Sequence, residues 1–489
     1  MFLRGSPTQL FVWCASRHAK VILTRSVTNH FVKQVHLHIQ LDPVFNGSAH
    51  MALEGLLRTV QQFSEVKELH AYLELDSLEG NVVEDADVHT RISGFAVSMG
   101  KMFPRLQKVC VHDTHTRKVL DNTTLGYVNV LARQLYSLAA VSRHYTQRGN
   151  SLCVTTSPAV FSGLTSISCE WGMHYQHARR LIQHNSGFLK RLVVVHRHSR
   201  DICAFTKDVA GEDVRYPELT HLKMVFEDGF GKHNRVAIDA GTPFPAIQCL
   251  DIGPHYPFTD DGVFRGSEKT LKHLCLPLDQ STMKMFERAG TFANRRFSRI
   301  QYLRIIRSGG SLCEWTVPAD QVFRFIAGIA PRPSTWDMVG MEAKNSILST
   351  IQRREGLRNM RTLYLHDCLL TLGDVVALLK SLPYLEYLFS LGSDLREFSS
   401  RDAVDMLADY SAETWLGRFF VRWELGTVDM ERMQNIIMCA IFLAITCPSF
   451  IHIETPLFAD TEGHKIIKEK LRFPSYHAYN DRLTALLRV

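Results

Sequence analysis

The sequence predicts an α/β fold of the solenoid class, a curved parallel sheet with helices on its convex side. Three observations predict it: a proline-led apolar motif recurs, a looser apolar pattern repeats at near-regular spacing, and the composition is that of a folded chain. Regular repetition of one strand and one helix is typical of solenoids. The alternative is an ordinary α/β fold of several domains.

The first observation is a motif in which proline is followed by apolar residues two, five and seven positions later. It occurs in "YPELTHLKM", "FPAIQCLDI" and "FPRLQKVCV", and "LPYLEYLFSL" resembles them. Strand side chains alternate between faces, so the last two apolar residues point together into a core. Proline suits the position before a strand, where no ladder hydrogen bond is needed yet.

The second observation is an LxxLxL pattern, in which L is any apolar residue. Its middle residues are 24 to 40 residues apart, except for one gap of 60 in which Val339 is a weak candidate. This period is typical of leucine-rich-repeat solenoids. The predicted buried middle residues are Val35, Leu69, Val109, Leu138, Ile167, Leu192, Leu222, Leu250, Leu274, Leu303, Leu363, Leu388, Phe419 and Ile453.

The repeats divide the chain into three predicted regions. Residues 1–30 form an N-terminal segment or cap, residues 31–395 the leucine-rich-repeat solenoid, and residues 396–489 irregular terminal repeats and a helical cap. An open solenoid needs such a cap to cover the apolar end of the array.

The composition excludes several classes of protein. The net charge of +7 is spread without long basic runs, and the longest apolar run, residues 436–447, is too short to span a membrane. The 11 cysteines are scattered without a CxxC pair, which favours a reducing compartment, the cytoplasm or nucleus. We therefore expect neither nucleic acid nor membrane as a partner.

Motifs of enzymes are also missing from the sequence. The chain has no phosphate-binding loop, GxSxG elbow, HExxH or GxGxxG motif. We therefore predict no catalytic residue, no cofactor and no metal ligand set, and a non-enzymatic protein. The alternative is a hydrolase or transferase with an unrecognised site.

Five units resemble a known family: "FPRLQKV", "YPELTHLKM", "FPAIQCLDI", "LKHLCLPL" and "FSRIQYLRI" are similar to the irregular repeats of fungal F-box-like and leucine-rich-repeat proteins. The resemblance covers Phe31 to Leu391. It implies a protein–protein interaction scaffold, in which an F-box binds the Skp-type adaptor of a cullin ubiquitin ligase and the repeats recognise the substrate. No F-box is evident, because residues 1–30 are short and lack an "LPxE" or "LPxH" opening. We therefore expect an F-box that is lost, degenerate or missing from the gene model, and residues 1–30 as its remnant or as a cap.

A protein partner is expected on the concave face, where outward aromatic and arginine side chains would be anchors. The predicted partner-binding residues of the C-terminal half are Tyr302, Arg304, Tyr364, Tyr387, Phe389, Arg418 and Phe420.

Histidine is also frequent at outward positions: His36, His38, His70, His112, His221, His273, His366 and His452. His36 and His70 are therefore added to the predicted partner-binding residues. In register, His36, His70 and Cys110 would form one row, and His221, Cys249 and His273 another. Such a row could hold zinc, but no fourth ligand is evident. The favoured expectation is that this face gains positive charge as the pH falls through about 6.5, which would strengthen binding to an acidic partner.

Overall fold

The structure of the chain is a computed structural model that describes residues 9–14, 32–40, 54, 63–74, 85–113, 122–147, 162–170, 175–196, 214–226, 237–238, 241, 243–292, 297–307, 319–339, 350–351, 353, 355–366, 378, 381–391, 418–422 and 451–454. They belong to two compact units. The first comprises Met1–Ile247 and Pro257–Ser267, and the second Gln248–Tyr256 and Glu268–Val489.

The first unit contains parallel strands that pair in chain order. They are β1 (Gln9–Cys14), β2 (Gln34–Gln40), β3 (Glu68–Glu74), β4 (Lys108–Asp113), β5 (Ser142–Gln147), β6 (Ser166–Glu170), β7 (Arg191–His196) and β8 (His221–Phe226). The helices between them are α1 (Asp85–Met102), α2 (Asn122–Ser137) and α3 (Tyr175–His184), and a 3-10 turn spans Gly262–Phe264. Strand β1 lies in residues 1–30, so the sheet begins earlier than the predicted solenoid.

The second unit repeats this topology. Its parallel strands are β9 (Cys249–Ile252), β10 (His273–Leu278), β11 (Tyr302–Arg307), β12 (Thr335–Val339), β13 (Thr362–His366), β14 (Tyr387–Leu391), β15 (Arg418–Arg422) and β16 (Ile451–Glu454). Its helices are α4 (Gln280–Ala289) and α5 (Ala319–Ile329), with a 3-10 turn over Glu355–Asn359. Helix α4 begins after Asp279, whose side chain accepts a hydrogen bond from the Thr282 N–H.

The predicted core positions are largely confirmed. All the middle apolar residues except Leu138 lie on strands, and those whose side chains are described are at most 2% exposed. In the second unit Leu250, Leu274 and Leu303 are aligned on adjacent strands. The α/β class and the parallel, chain-ordered strands thus agree with the sequence analysis.

Three assignments of the repeat pattern are wrong in detail. Leu138 lies in the turn after α2, and the buried residue of β5 is Tyr145. The residue aligned with Leu303 and Leu363 on β12 is Trp336, not Val339.

The third error is Ile453, which is on β16 but is aligned with Val421 instead of Phe419. Polar residues dominate β5 and an aromatic residue takes the core position of β12, so neither strand shows the expected aliphatic spacing.

Before many strands the chain makes the same turn. The N–H of the apolar residue two positions after the proline donates a hydrogen bond to the carbonyl of the aromatic residue or leucine that precedes the proline. Examples are Leu106 to Phe103, Leu219 to Tyr216 and Leu385 to Leu382. Proline at the second position of such a turn has its φ already set. The recurring proline therefore belongs to a turn that leads into the strand.

Neighbouring strands are also joined by one repeated pair of backbone hydrogen bonds. A carbonyl at the start of one strand accepts two successive N–H groups of the next, as Lys272 O does from Gln301 and Tyr302 at 2.8 and 3.1 Å. The same pattern recurs in both units, at Lys67 and at Ser334 for example. These shared carbonyls fix the register of neighbouring strands.

Among the described residues, no helix combines the length and the apolar character needed to cross a membrane. Of residues 396–489 the structure describes only β15 and β16, so the predicted helical cap lies outside the described residues.

Candidate functional site

Histidine-bearing rows lie on the outward face of β2 to β5 in the first unit. Alternate residues of β2 and β3, such as Val35 and Leu69, are fully buried, which turns the residues between them to the other face. The register aligns three rows across these strands: Gln34, Glu68, Lys108 and Ser142; His36, His70, Cys110 and His144; and His38, Tyr72, His112 and Thr146. The predicted row of His36, His70 and Cys110 is confirmed.

The rings of this face stack on one another. His36 and His70 have centroids 4.6 Å apart, and Tyr72 lies between His38 and His112 at 4.5 Å from each. Stacked rings on neighbouring strands hold one another in place. The face is therefore an ordered surface of imidazole and phenol rings.

Glu68 connects the first two rows. Its Oε1 atom is 2.9 Å from His70 Nε2 and also contacts the ammonium group of Lys108. Gln34 Nε2 donates to Oε2 at 3.0 Å, and Cys110 Sγ lies 3.9 Å from Oε1. The Glu68 carboxylate therefore holds the His70 ring in position by its contact with the Nε2 atom of that ring.

These contacts and burial shift the pKa values of the face. Burial would raise the pKa of Glu68, but the hydrogen bond and charge of Lys108 outweigh it and the pKa is lowered. Burial lowers the pKa of His36 and of His70. Burial also raises the pKa of the Cys110 thiol to about 12.

The lowered histidine pKa values revise the expected pH response. The sequence analysis expected the face to become charged near pH 6.5, the usual pKa of histidine. Because burial disfavours the imidazolium form, His36 and His70 become charged only at lower pH. Stronger partner binding at pH 6 is therefore no longer expected from these two residues.

His144 leads to a prediction on acid stability. Burial, with the nearby charge of Lys108, lowers its pKa to about 4. The charged or titratable groups that act on its pKa include Lys108, Glu68, His70 and Arg191. An unfolded chain binds a proton at this histidine below about pH 6.5, whereas the folded chain does so only near pH 4, so stability falls as the pH decreases between these values.

We expect the melting temperature to fall from pH 7.5 to pH 4.5, and His144→Gln to reduce that fall by a few degrees, because glutamine does not titrate. The measurement is thermal unfolding in the presence of a chelator at several pH values. Equal slopes for the two proteins between pH 6.5 and 4.5 would contradict the assignment.

The outward face of the second unit carries two rows across its strands. One row consists of Cys249, His273, Tyr302, Thr335, Thr362, Tyr387 and Arg418, and the next of Asp251, Cys275, Arg304, Asp337, Tyr364, Phe389, Phe420 and His452. All seven residues predicted for this half lie in these two rows.

Asp337 organises the centre of this face. It is 6% exposed, accepts a hydrogen bond from the Tyr302 hydroxyl at 3.1 Å and lies 3.4 Å from Arg304 Nε. Burial and the charge of Asp337 raise the pKa of Tyr302. A buried carboxylate needs such partners, which in turn hold the tyrosine and arginine in fixed positions.

The predicted partner-binding residues are divided between the two units, seven in the second and two in the first. Tyr302, Arg304 and Tyr364 are half-buried and Tyr387 is 41% exposed. Phe389, Arg418 and Phe420 share the face by register, but their side chains lie outside the described ones. His36 and His70 lie on β2 and β3 of the first unit.

The second predicted histidine row is shown only in part. Cys249 and His273 are aligned, whereas His221 is on β8 of the first unit.

Sequence reasoning missed Glu68, Tyr72, His144 and Asp337. Glu68 and Tyr72 occupy outward positions of β3, which was recognised, and Asp337 one of β12, which was only suspected. A search for ionisable and aromatic residues at all outward positions would have found them. His144 was missed because β5 itself was misplaced.

No protein-family model matches the chain, and a comparison with curated proteins found no match.

Proposed function

We propose that the chain is a protein-binding scaffold of the leucine-rich-repeat type, and that its partner docks on the outward strand face of the second unit. One observation carries the proposal: the predicted aromatic and arginine residues occupy two adjacent rows of the same face. Tyrosine, tryptophan and arginine dominate binding energy in protein interfaces. A run of parallel strands offers them as one continuous surface.

The contacts of Asp337 support this assignment. Tyr302 and Arg304 are held by hydrogen bond and ion pair, so they lose little side-chain freedom when a partner binds. Tyr387 and Tyr364 lie on the following strands and are partly accessible. A partner surface with apolar groups and carboxylates fits these aromatic and cationic side chains.

The narrower role is that of a substrate receptor for a cullin ubiquitin ligase. It rests on the resemblance of the repeats to fungal F-box-like proteins, and a Skp-type adaptor would be expected to bind the N-terminal segment. The strand face would then hold the substrate to be ubiquitinated.

The test uses the full chain, tagged and expressed in its native organism. We expect the double variant Tyr364→Ala, Tyr387→Ala to reduce recovery of the bound protein at least tenfold, because it removes two anchors from the face. Tyr384→Ala is the matched control, since Tyr384 is 63% exposed but lies in the turn before β14 instead of on the strand.

Recovery is measured by quantitative mass spectrometry and then with the purified partner. Equal loss in the control and the double variant, or no loss in either, would contradict docking on this face. Co-purification of a Skp-type adaptor and a cullin would support the receptor role, and their absence beside a bound protein would reject that role.

A further inference from the structure

Three side chains on the outward face of the first unit bring metal-ligand atoms together. His70, Cys110 and His112 each offer one ligand atom, and these atoms lie within 4.8 Å of one another. Among the described residues they are the only group of three or more histidine, cysteine or acidic residues with this geometry. The strands fix their backbones, because His70 and Cys110 are aligned in register on β3 and β4 and His112 is two residues further along β4.

The two imidazoles face each other in a way that suits a shared cation. His70 Nδ1 and His112 Nε2 are 2.9 Å apart. Two nitrogens bound to one tetrahedral zinc at about 2.0 to 2.1 Å are about 3.3 Å apart. A small opening of the pair would therefore admit the ion without a change of backbone.

Glu68 supplies the contact that metal-binding histidines commonly have. The nitrogen of His70 that does not face His112 is Nε2, and it lies 2.9 Å from Glu68 Oε1. A ligating histidine usually gives its other N–H to a carboxylate or carbonyl, which fixes the tautomer and makes the ligating nitrogen a better donor. Here that contact already leaves Nδ1 as the atom directed at the proposed site.

We propose that His70, Cys110 and His112 bind one Zn²⁺ ion, with Glu68 as the outer-shell partner of His70. Two imidazole nitrogens and one thiolate form a ligand set that zinc accepts, with water in the fourth position. Binding releases the thiol proton of Cys110 to solvent, so the thiolate brings one negative charge to the ion. The charge of Lys108 is balanced by Glu68.

This site differs from the arrangement considered from the sequence. From the sequence, the row of His36, His70 and Cys110 was considered as a zinc site. No metal ligand was predicted, because no fourth ligand was evident. In the structure His36 Nδ1 is instead 3.2 Å from the Tyr72 hydroxyl. The third ligand is His112, in the next row.

The test uses the full chain after treatment with a chelator and removal of the chelator. Zn²⁺ is added and its binding measured by competition with a chromophoric chelator. Co²⁺ is then used as a spectroscopic substitute. We expect one high-affinity equivalent of zinc, and a thiolate-to-cobalt charge-transfer band that disappears when zinc is added.

The variants separate the proposed ligands from the other histidines. Cys110→Ser should abolish the charge-transfer band, and His112→Gln should weaken zinc binding at least tenfold. Glu68→Gln should weaken it about 10- to 100-fold, the usual effect of an outer-shell partner. His221→Gln is the matched control, because His221 is exposed on β8 and makes none of the ring contacts of the proposed ligands described above, and it should leave zinc binding unchanged.

Circular dichroism of each variant without metal shows whether the fold is kept. Because Cys110 is buried and its replacement can perturb folding, the more accessible His112 is the second, independent variant. Zinc affinity that is the same in Cys110→Ser, His112→Gln and the original chain, or the absence of a charge-transfer band in the original chain, would overturn the proposal.

Discussion

Replacing Leu274 with aspartate should destabilise the second unit by about 4 kcal/mol or more, because it places an unpaired charge in an apolar core. Leu274 is 0% exposed and is aligned with Leu250 on one side and Leu303 on the other. Because both neighbours are leucines, neither offers a positive charge to the new carboxylate. The measurement is urea unfolding, with hydrogen exchange to locate the change.

The matched control is His273→Asp, one residue earlier on the same strand. His273 is exposed on the opposite face, so the same charge introduced there should change stability by only about 0.5 kcal/mol. We expect amide protection of β9, β10 and β11 to be lost in Leu274→Asp and kept in the control. Equal stability of the two variants would show that the alternation of the strand is wrong.

Strand alternation is also the part of the fold that could be predicted from the sequence. Where a strand has aliphatic residues at both inward positions, as β9 does with Leu250 and Ile252, position and facing were both predicted correctly. In β5 the described side chains include only one buried residue, Tyr145, and the aliphatic residues of the preceding turn imitated the pattern. Spacing locates a strand only when the core is filled by the residue types that the pattern counts.

The candidate site shows a different limit. Register could be predicted, and it placed His36, His70 and Cys110 in one row. The direction of each ring within the row could not, because it depends on side-chain rotamers and on partners such as Glu68 and Tyr72. Likewise the sequence does not indicate that Asp337 is buried, whereas in the structure it is 6% exposed and contacts Tyr302 and Arg304.

Asn185, which follows α3, is the second residue whose loss should have a large effect. It is 0% exposed. Its Oδ1 atom accepts a hydrogen bond from the Leu164 N–H at 2.9 Å, and its Nδ2 atom donates to the Leu181 carbonyl at 2.8 Å. The side chain therefore connects the end of α3 to the chain that enters β6.

Asn185→Ala should cost about 3 kcal/mol, because it leaves a buried donor and a buried acceptor without their partner. Ser186→Ala is the matched control, since it shortens the next polar side chain and keeps both hydrogen bonds of the Asn185 side chain. The sharpest measurement is exchange of the Leu164 amide hydrogen, whose acceptor is the asparagine itself. We expect this amide to exchange about 100-fold faster in Asn185→Ala, as a loss of about 3 kcal/mol of protection implies, and at the original rate in the control. Unchanged exchange at Leu164 in Asn185→Ala would mean that another group, and not Asn185, protects the entry to β6.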